Sequence, residues 1–255
     1  MHPKIGLAFG AGAMRGLAHI GVLQVIEREH IPIDVVTGTS MGSIIAGAYA
    51  SGRSGLEMEK IARDLQELSY FDLTMPKLGV IQGKRISKLI GQITRNMSFA
   101  DTRVPCGIVA CALETGDEVI LTDGSLEDAI RASISIPGVF VPVELDGRLV
   151  VDGGLVNRVP VSVARMLGAE KIIGIDVGYR GESVRPNGLV QVIMQAYEVM
   201  EWQVAKYRSN SADIMIVPDV RGMNPAHMMH AADCIARGRE AARAMLPDIR
   251  AMLNV

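Results

Sequence analysis

The chain predicts an α/β fold: a mostly parallel central sheet with helices on both faces. Two observations carry this. Short apolar runs of strand length alternate with longer helical patterns along the sequence, which argues βα units and a covered parallel sheet. The first of these runs, Ile5-Gly6-Leu7-Ala8-Phe9, is apolar without alternation, as a strand buried on both faces should be.

In order, the pattern predicts a strand over Ile5–Phe9, a helix over Leu17–Arg28, a strand over Val35–Thr39 and a helix over Met41–Ala50. Gly21 lies on the same side of its helix as Leu17 and allows close packing. A charged amphipathic helix follows from Gly55 to Tyr70, then a loop from Phe71 to Gly83 punctuated by Pro76 and Gly79, then a helix from Lys84. Cys106–Ala112 and Glu118–Thr122 read as a strand pair around Thr115-Gly116-Asp117. Leu126–Ser133 is a helix, Leu149–Val151 a short strand, Pro160–Leu167 a helix and Lys171–Val177 a strong strand. Tyr179 to Gly188 is the best loop candidate. Gly188–Ser209 is a long helix, Ile214–Pro218 a late strand, and a last helix begins near Ala226, with Pro225 suited to its first turn.

Chemistry enters at the second strand. Val35 to Thr39 runs into Gly38-Thr39-Ser40-Met41-Gly42 and then into a helix rich in small residues. G-x-S-x-G between a strand and a helix is a nucleophile elbow, a sharp turn that pushes one serine hydroxyl out of the sheet. Gly38 and Gly42 flank Ser40 where neighbouring backbone comes too close for a Cβ. The helix start beyond Ser40 aims amides at the hydroxyl and favours negative charge there.

A serine needs a base and a place for negative charge. The place is the loop Gly10-Ala11-Gly12-Ala13-Met14-Arg15-Gly16, whose backbone N–H groups converge between the first strand and helix. Arg15 adds a positive charge or anchors the loop. Gly10, Gly12 and Gly16 also read as tight strand–helix packing, for Gly16 at even odds. His19 and His30 are expected at the helix surface or as caps. A dinucleotide reading of the loop is weak: the spacing is G-x-G-x-x-x-G, and Asp34 starts the second strand, whereas a ribose-binding acid would end it.

The base candidate is Asp152, at the end of a short strand and before Gly153-Gly154. Alone, Asp-Gly is a common turn pair. A triad completed by His227 or His230 would keep the order of serine, acid and histidine, but both histidines fall at a helix start and read as partly exposed.

Four blocks together resemble the patatin-like phospholipase family in its short bacterial form: Gly10–Gly16 with the following Leu17-Ala18-His19-Ile20-Gly21-Val22-Leu23, Gly38–Gly42, Arg131–Phe140 and Asp152–Asn157. Their order and spacing match over roughly the first two-thirds of the chain. The resemblance implies a three-layer sandwich and a Ser40–Asp152 dyad in place of a triad, with the glycine loop as oxyanion hole. The implied reaction is hydrolysis of acyl esters, often lipids. Ala11 and Ala13 depart from the family's glycine run, and positive φ there would be costly. Arg158 stands where a second Asn is usual. The last third matches no motif.

Composition bounds the remaining classes. At 255 residues the chain reads as one domain, 1–255. Hydrophobic residues make up 49% and net charge is −2, with no basic stripe for nucleic acid and no run of membrane-spanning length. Lys4 and the apolar run to Ala13 loosely imitate a signal peptide, but the run is short and needed for the first strand. Cys106, Cys111 and Cys234 suit reduced buried thiols in a cytoplasmic protein. No cofactor is expected and no spacing suggests a metal site. The segment Tyr70–Ile93, apolar with Lys77, Lys84, Arg85 and Lys88 beside it, would suit an acyl chain and an anionic head group or membrane surface. The plainer reading, a loop packed on the core, carries more weight. The 15 methionines could line an acyl pocket but more often fill cores. Two other classes stay open: a nucleotide-binding oxidoreductase, and a non-catalytic regulatory protein that keeps the hydrolase fold.

Overall fold

The computed structural model describes residues 3–65, 79–181, 185–207, 212–223 and 230–253. Its centre is an eight-stranded sheet. Five parallel strands run β10-β9-β1-β2-β4: β1 is Ile5–Phe9, β2 Val35–Thr39, β4 Cys106–Ala112, β9 Lys171–Ile175 and β10 Ile214–Ile216. The remaining strands are antiparallel: β5 (Glu118–Leu121) pairs one edge of β4, and β8 (Arg148–Asp152), itself paired with β7 (Val143–Leu145), continues the edge that β2 uses. The expected mostly parallel sheet is present, with an antiparallel wing that was foreseen only in the β4–β5 pair.

Helices cover both faces. Ile5, Leu7 and Phe9 turn to the larger core, which holds α1 (Ala18–Arg28), α2 (Met41–Ala50), α5 (Leu126–Ser133), α8 (Ala231–Ala244) and α9 (Leu246–Leu253). Ala8 turns the other way, to Val35, Ile172 and α6 (Val161–Met166). This is the period-two alternation of a strand buried on both sides. Gly21 does what its position suggested: a Cβ there would stand 1.9 Å from the Ile235 carbonyl oxygen, so α1 and α8 meet backbone to backbone.

Several boundaries differ from expectation. A 3-10 turn over Ala13–Leu17 precedes α1. Helix α3 spans Gly55–Asp64, capped by Ser54 and Glu57, and residues 66–70 of the expected helix lie outside the described residues. So do residues 71–78 of the expected loop. Its end, Gly79–Ile81, is strand β3, which pairs in parallel with β6 (Gly138–Phe140). Three-residue strands carry too little periodicity to be seen locally, and a distant partner makes them strands. Helix α4 is Lys84–Ile93 and α7 is Leu189–Tyr207. Among the described residues no helix is long and apolar enough to cross a membrane, and the three cysteines are free and buried.

Candidate active site

Sheet register brings the two ends of the site together. Thr39 on β2 pairs with Val109, and Asp152 on β8 pairs with the next residue, Ala110, so the C-terminal ends of β2 and β8 meet along β4 and bring Ser40 to Asp152. The Ser40 hydroxyl donates to Asp152 Oδ2 at 2.6 Å, and both side chains are buried.

Ser40 sits between β2 and α2 at φ 54°, ψ −125°, a conformation that costs an L residue about 1–3 kcal/mol. The surroundings impose it. A Cβ at Gly42 would lie 2.1 Å from the Phe9 carbonyl oxygen, so the turn is pressed onto β1. The Ser40 amide donates to Ser133 Oγ at 2.9 Å, and that hydroxyl donates to the Val109 carbonyl at 2.6 Å. Ser133 therefore ties the elbow to β4. It stands in the Arg131–Phe140 block, yet sequence reasoning gave it no role.

Asp152 Oδ1 accepts from the Gly154 amide at 2.8 Å. Burial pushes this carboxyl up to about 6, and the hydrogen bonds from Ser40 and Gly154 and the nearby Tyr197 hydroxyl hold it from going higher. The carboxylate is thus available at neutral pH, with basicity raised toward that of an imidazole.

The glycine loop is held in three ways. The Gly10 carbonyl accepts from His19 Nε2 at 2.8 Å. His19 is thus no surface or capping residue; burial lowers it to about 4 and leaves it neutral. His30 is exposed after α1. The Gly10 and Ala11 amides are used by the Ile175 and Arg158 carbonyls, each at 2.9 Å, and the Arg15 amide bonds Gly12 at 3.1 Å. These three are corrected as oxyanion donors, because an N–H committed to the fold cannot turn to substrate. Gly12 and Ala13 line the cleft beside Ser40. Ala13 adopts φ 48°, the costly left-handed region anticipated for an alanine here. Gly16 packs against Met41, where a Cβ would lie 2.3 Å from Met41 Cγ. Arg15 is an anchor, buried in an ion pair with Glu198 of α7. Arg158 is absorbed likewise: it pairs with Asp176, while Asn157 donates to Glu118 at 2.7 Å.

The cleft over Ser40 is walled by Ile136 and by Met194, Tyr197, Glu198 and Glu201 from α7. Met194 is one of the methionines considered for an acyl pocket; sequence reasoning missed Tyr197, Glu198 and Glu201. The available signal was two carboxylates three residues apart inside an apolar helix. His230 is half-exposed at the head of α8, 3.8 Å from Asp233, and does not line the cleft; His227 lies outside the described residues.

A family model described as Patatin-like phospholipase matches residues 7–165. An uncharacterized NTE family protein of Mycobacterium tuberculosis is 33% identical over 213 residues, covering 82% of this chain and 57% of its own length. Patatin-like phospholipase domain-containing protein 6 of Homo sapiens is 34% identical over 187 residues, covering 70% of this chain and 14% of its own. The chain thus spans from about half to about a seventh of these relatives' lengths. Among solved structures, VipD from Legionella pneumophila aligns with TM-score 0.56 at 11% identity, over 97% of this chain and 67% of that one. The ExoU–SpcU complex of Pseudomonas aeruginosa aligns with TM-score 0.54 at 14% identity, over 100% and 52%. At such identities these two speak for the fold alone.

Proposed function

The chain belongs to the patatin-like phospholipase family, and from that premise we propose that it is a serine acyl hydrolase working through a Ser40–Asp152 dyad on lipid or other carboxylic esters. The observation that carries the proposal is the 2.6 Å hydrogen bond from Ser40 Oγ to Asp152 Oδ2, on a serine held at positive φ at the head of α2.

The chemistry follows from that contact. Asp152 takes the hydroxyl proton as Ser40 Oγ forms its bond to the ester carbonyl carbon. Negative charge develops on the carbonyl oxygen. The amides of Gly12 and Ala13, with the first turn of α2, are the donors proposed for it, since these two residues line the cleft and the amides of Gly10, Ala11 and Arg15 are spent. Collapse breaks the bond to the alcohol oxygen, which leaves with the proton from Asp152. Water then attacks the acyl-enzyme, gives a proton through Asp152 to Ser40 Oγ, and releases the carboxylic acid. The single carboxylate does what a histidine does in a triad, which fits its raised pKa.

A lipid as substrate is supported by the family and by apolar surface beside the cleft. Leu189, Val192, Met200 and Tyr207 are exposed on α7, whose other face walls the site. Peripheral contact of this face with a lipid surface would feed the cleft. Labelling with a fluorophosphonate probe and mapping of the labelled residue tests the proposal. Ser40 should carry the label, Ser40→Ala should lose both label and p-nitrophenyl ester hydrolysis, and His230→Ala should keep both. Retained hydrolysis in folded Ser40→Ala would refute it.

A further inference from the structure

Glu201 takes part in none of these steps, yet it stands in the wall of the cleft with Ser40 and Tyr197. Its residue is 3% exposed. Among the described residues neither Glu201 Oε1 nor Tyr197 Oη has a well-formed hydrogen bond. Both oxygens hang over Gly154: a Cβ there would lie 1.6 Å from Glu201 Oε1 and 2.8 Å from Tyr197 Oη. The amide of the same glycine is held by Asp152 Oδ1. Asp152, Tyr197 and Glu201 thus surround one residue that has no side chain to part them, and the Tyr197 hydroxyl interacts with both carboxyls.

Two carboxyls buried this close do not both ionise, because each charge lacks water and repels the other. The proton stays where the hydrogen bonds are fewer. Asp152 accepts from Ser40 Oγ and the Gly154 amide, and both bonds favour its charged form. Glu201 Oε1 has only the Tyr197 hydroxyl near it, and shares that with Asp152. Of the other charged groups facing Glu201, Arg158 favours its charged form and Glu198 opposes it; both are themselves paired, Arg158 with Asp176 and Glu198 with Arg15. Tyr197 is neutral, its ionisation pushed far up by burial.

We propose that Glu201 is a positioning residue for the base: as a neutral acid beside Tyr197 it keeps the one proton of the carboxyl pair, and Asp152 is left as the ionised partner that receives the Ser40 proton. This rests on the Ser40–Asp152 reading above. Burial agrees in direction, raising Asp152 to about 6 and Glu201 well above the ordinary carboxylate range.

The pH profile of Ser40 labelling by a fluorophosphonate is the test. In the wild-type protein the rate should rise through about pH 6 as Asp152 ionises. It should fall again at alkaline pH, by about tenfold per pH unit at the limit, once Glu201 loses its proton and a second negative charge faces the developing oxyanion. In Glu201→Gln the amide keeps the volume and cannot ionise, so the acid limb should persist and the alkaline limb should vanish. Glu201→Met makes the same comparison if the glutamine variant does not fold. A Glu201 of structural importance alone would scale the whole profile and move neither limb. The proposal is overturned by a wild-type profile with no alkaline limb, or by a neutral variant that keeps it. Ser40→Ala separates the two readings: labelling that survives there refutes the nucleophile itself, while its loss with an unchanged Glu201→Gln profile refutes only the role of Glu201.

Discussion

Replacing Asp152 by asparagine should abolish activity and, at the same time, make the protein more stable. The carboxyl is fully buried and raised from 3.8 to about 6. At 1.36 kcal/mol per pKa unit, a carboxylate held ionised there costs on the order of 3 kcal/mol relative to the unfolded chain. The sign follows from linkage. A raised carboxyl contributes fully to stability below its unfolded pKa, and that contribution is lost as pH rises through about 6. Asparagine does not titrate. Its Oδ1 can accept from the Gly154 amide as Asp152 Oδ1 does, and its Nδ2 can donate to Ser40 Oγ, so the local geometry survives. Thermal melting at about pH 8 should show Asp152→Asn higher than wild type by several degrees, at about 2–4 °C per kcal/mol for a chain of this size. Near pH 4 the gap should close, since the wild-type carboxyl is then protonated when folded. Turnover should fall by several orders of magnitude above about pH 6, and by less in acid, where the wild-type carboxyl is itself protonated. A variant less stable than wild type at about pH 8, or a gap that does not change with pH, would refute the assignment of a strained buried base.

Three further outcomes are expected. Ser40→Gly should melt above Ser40→Ala by about 1 kcal/mol, because only glycine relieves the positive φ of the elbow; differential melting of the two inactive proteins reads this. Gly154→Ala should cost about 1–3 kcal/mol and most of the activity, since the new methyl meets Glu201 Oε1 and Tyr197 Oη; a variant of wild-type melting temperature and turnover would contradict the packing. Glu198→Gln leaves the buried Arg15 charge without its carboxylate partner, and denaturant unfolding should show a loss on the order of 3–5 kcal/mol, part of which Arg15→Met should recover in the double variant.

How far the sequence could be read depended on how local each feature is. Strands β1 and β2 and helices α2 and α5 agree with expectation to the residue, because an apolar run between breakers carries its own information. Ser40 was singled out through Gly38 and Gly42, whereas Asp152, an ordinary turn residue on its local sequence, stood out only through the four blocks taken together. What could not be read is what only tertiary pairing decides. Strands β3 and β6 are three residues each and exist through one another. The spent amides of Gly10 and Ala11 depend on the Ile175 and Arg158 carbonyls, far along the chain. Helix α7 was placed as an element, but its inward face of Tyr197, Glu198 and Glu201 was not, since periodicity does not say which neighbour a helix meets. His19 was misjudged for the same reason: its partner is a carbonyl in the preceding loop.

The meeting of Ser40 and Asp152 along β4 also has a kinetic meaning. The two residues are 112 positions apart, and the strand that aligns both, β4, belongs to neither segment. Three stretches of chain must find one another before the contact exists, and loop closure of that length is slow. A slip of one residue between β4 and β8 would turn Asp152 to the opposite face of the sheet. During refolding, helical signal should therefore return before Ser40 becomes reactive toward a fluorophosphonate. Labelling taken at intervals would act as a stopwatch for strand alignment, separating chains that are merely compact from those whose sheet has closed in the correct frame.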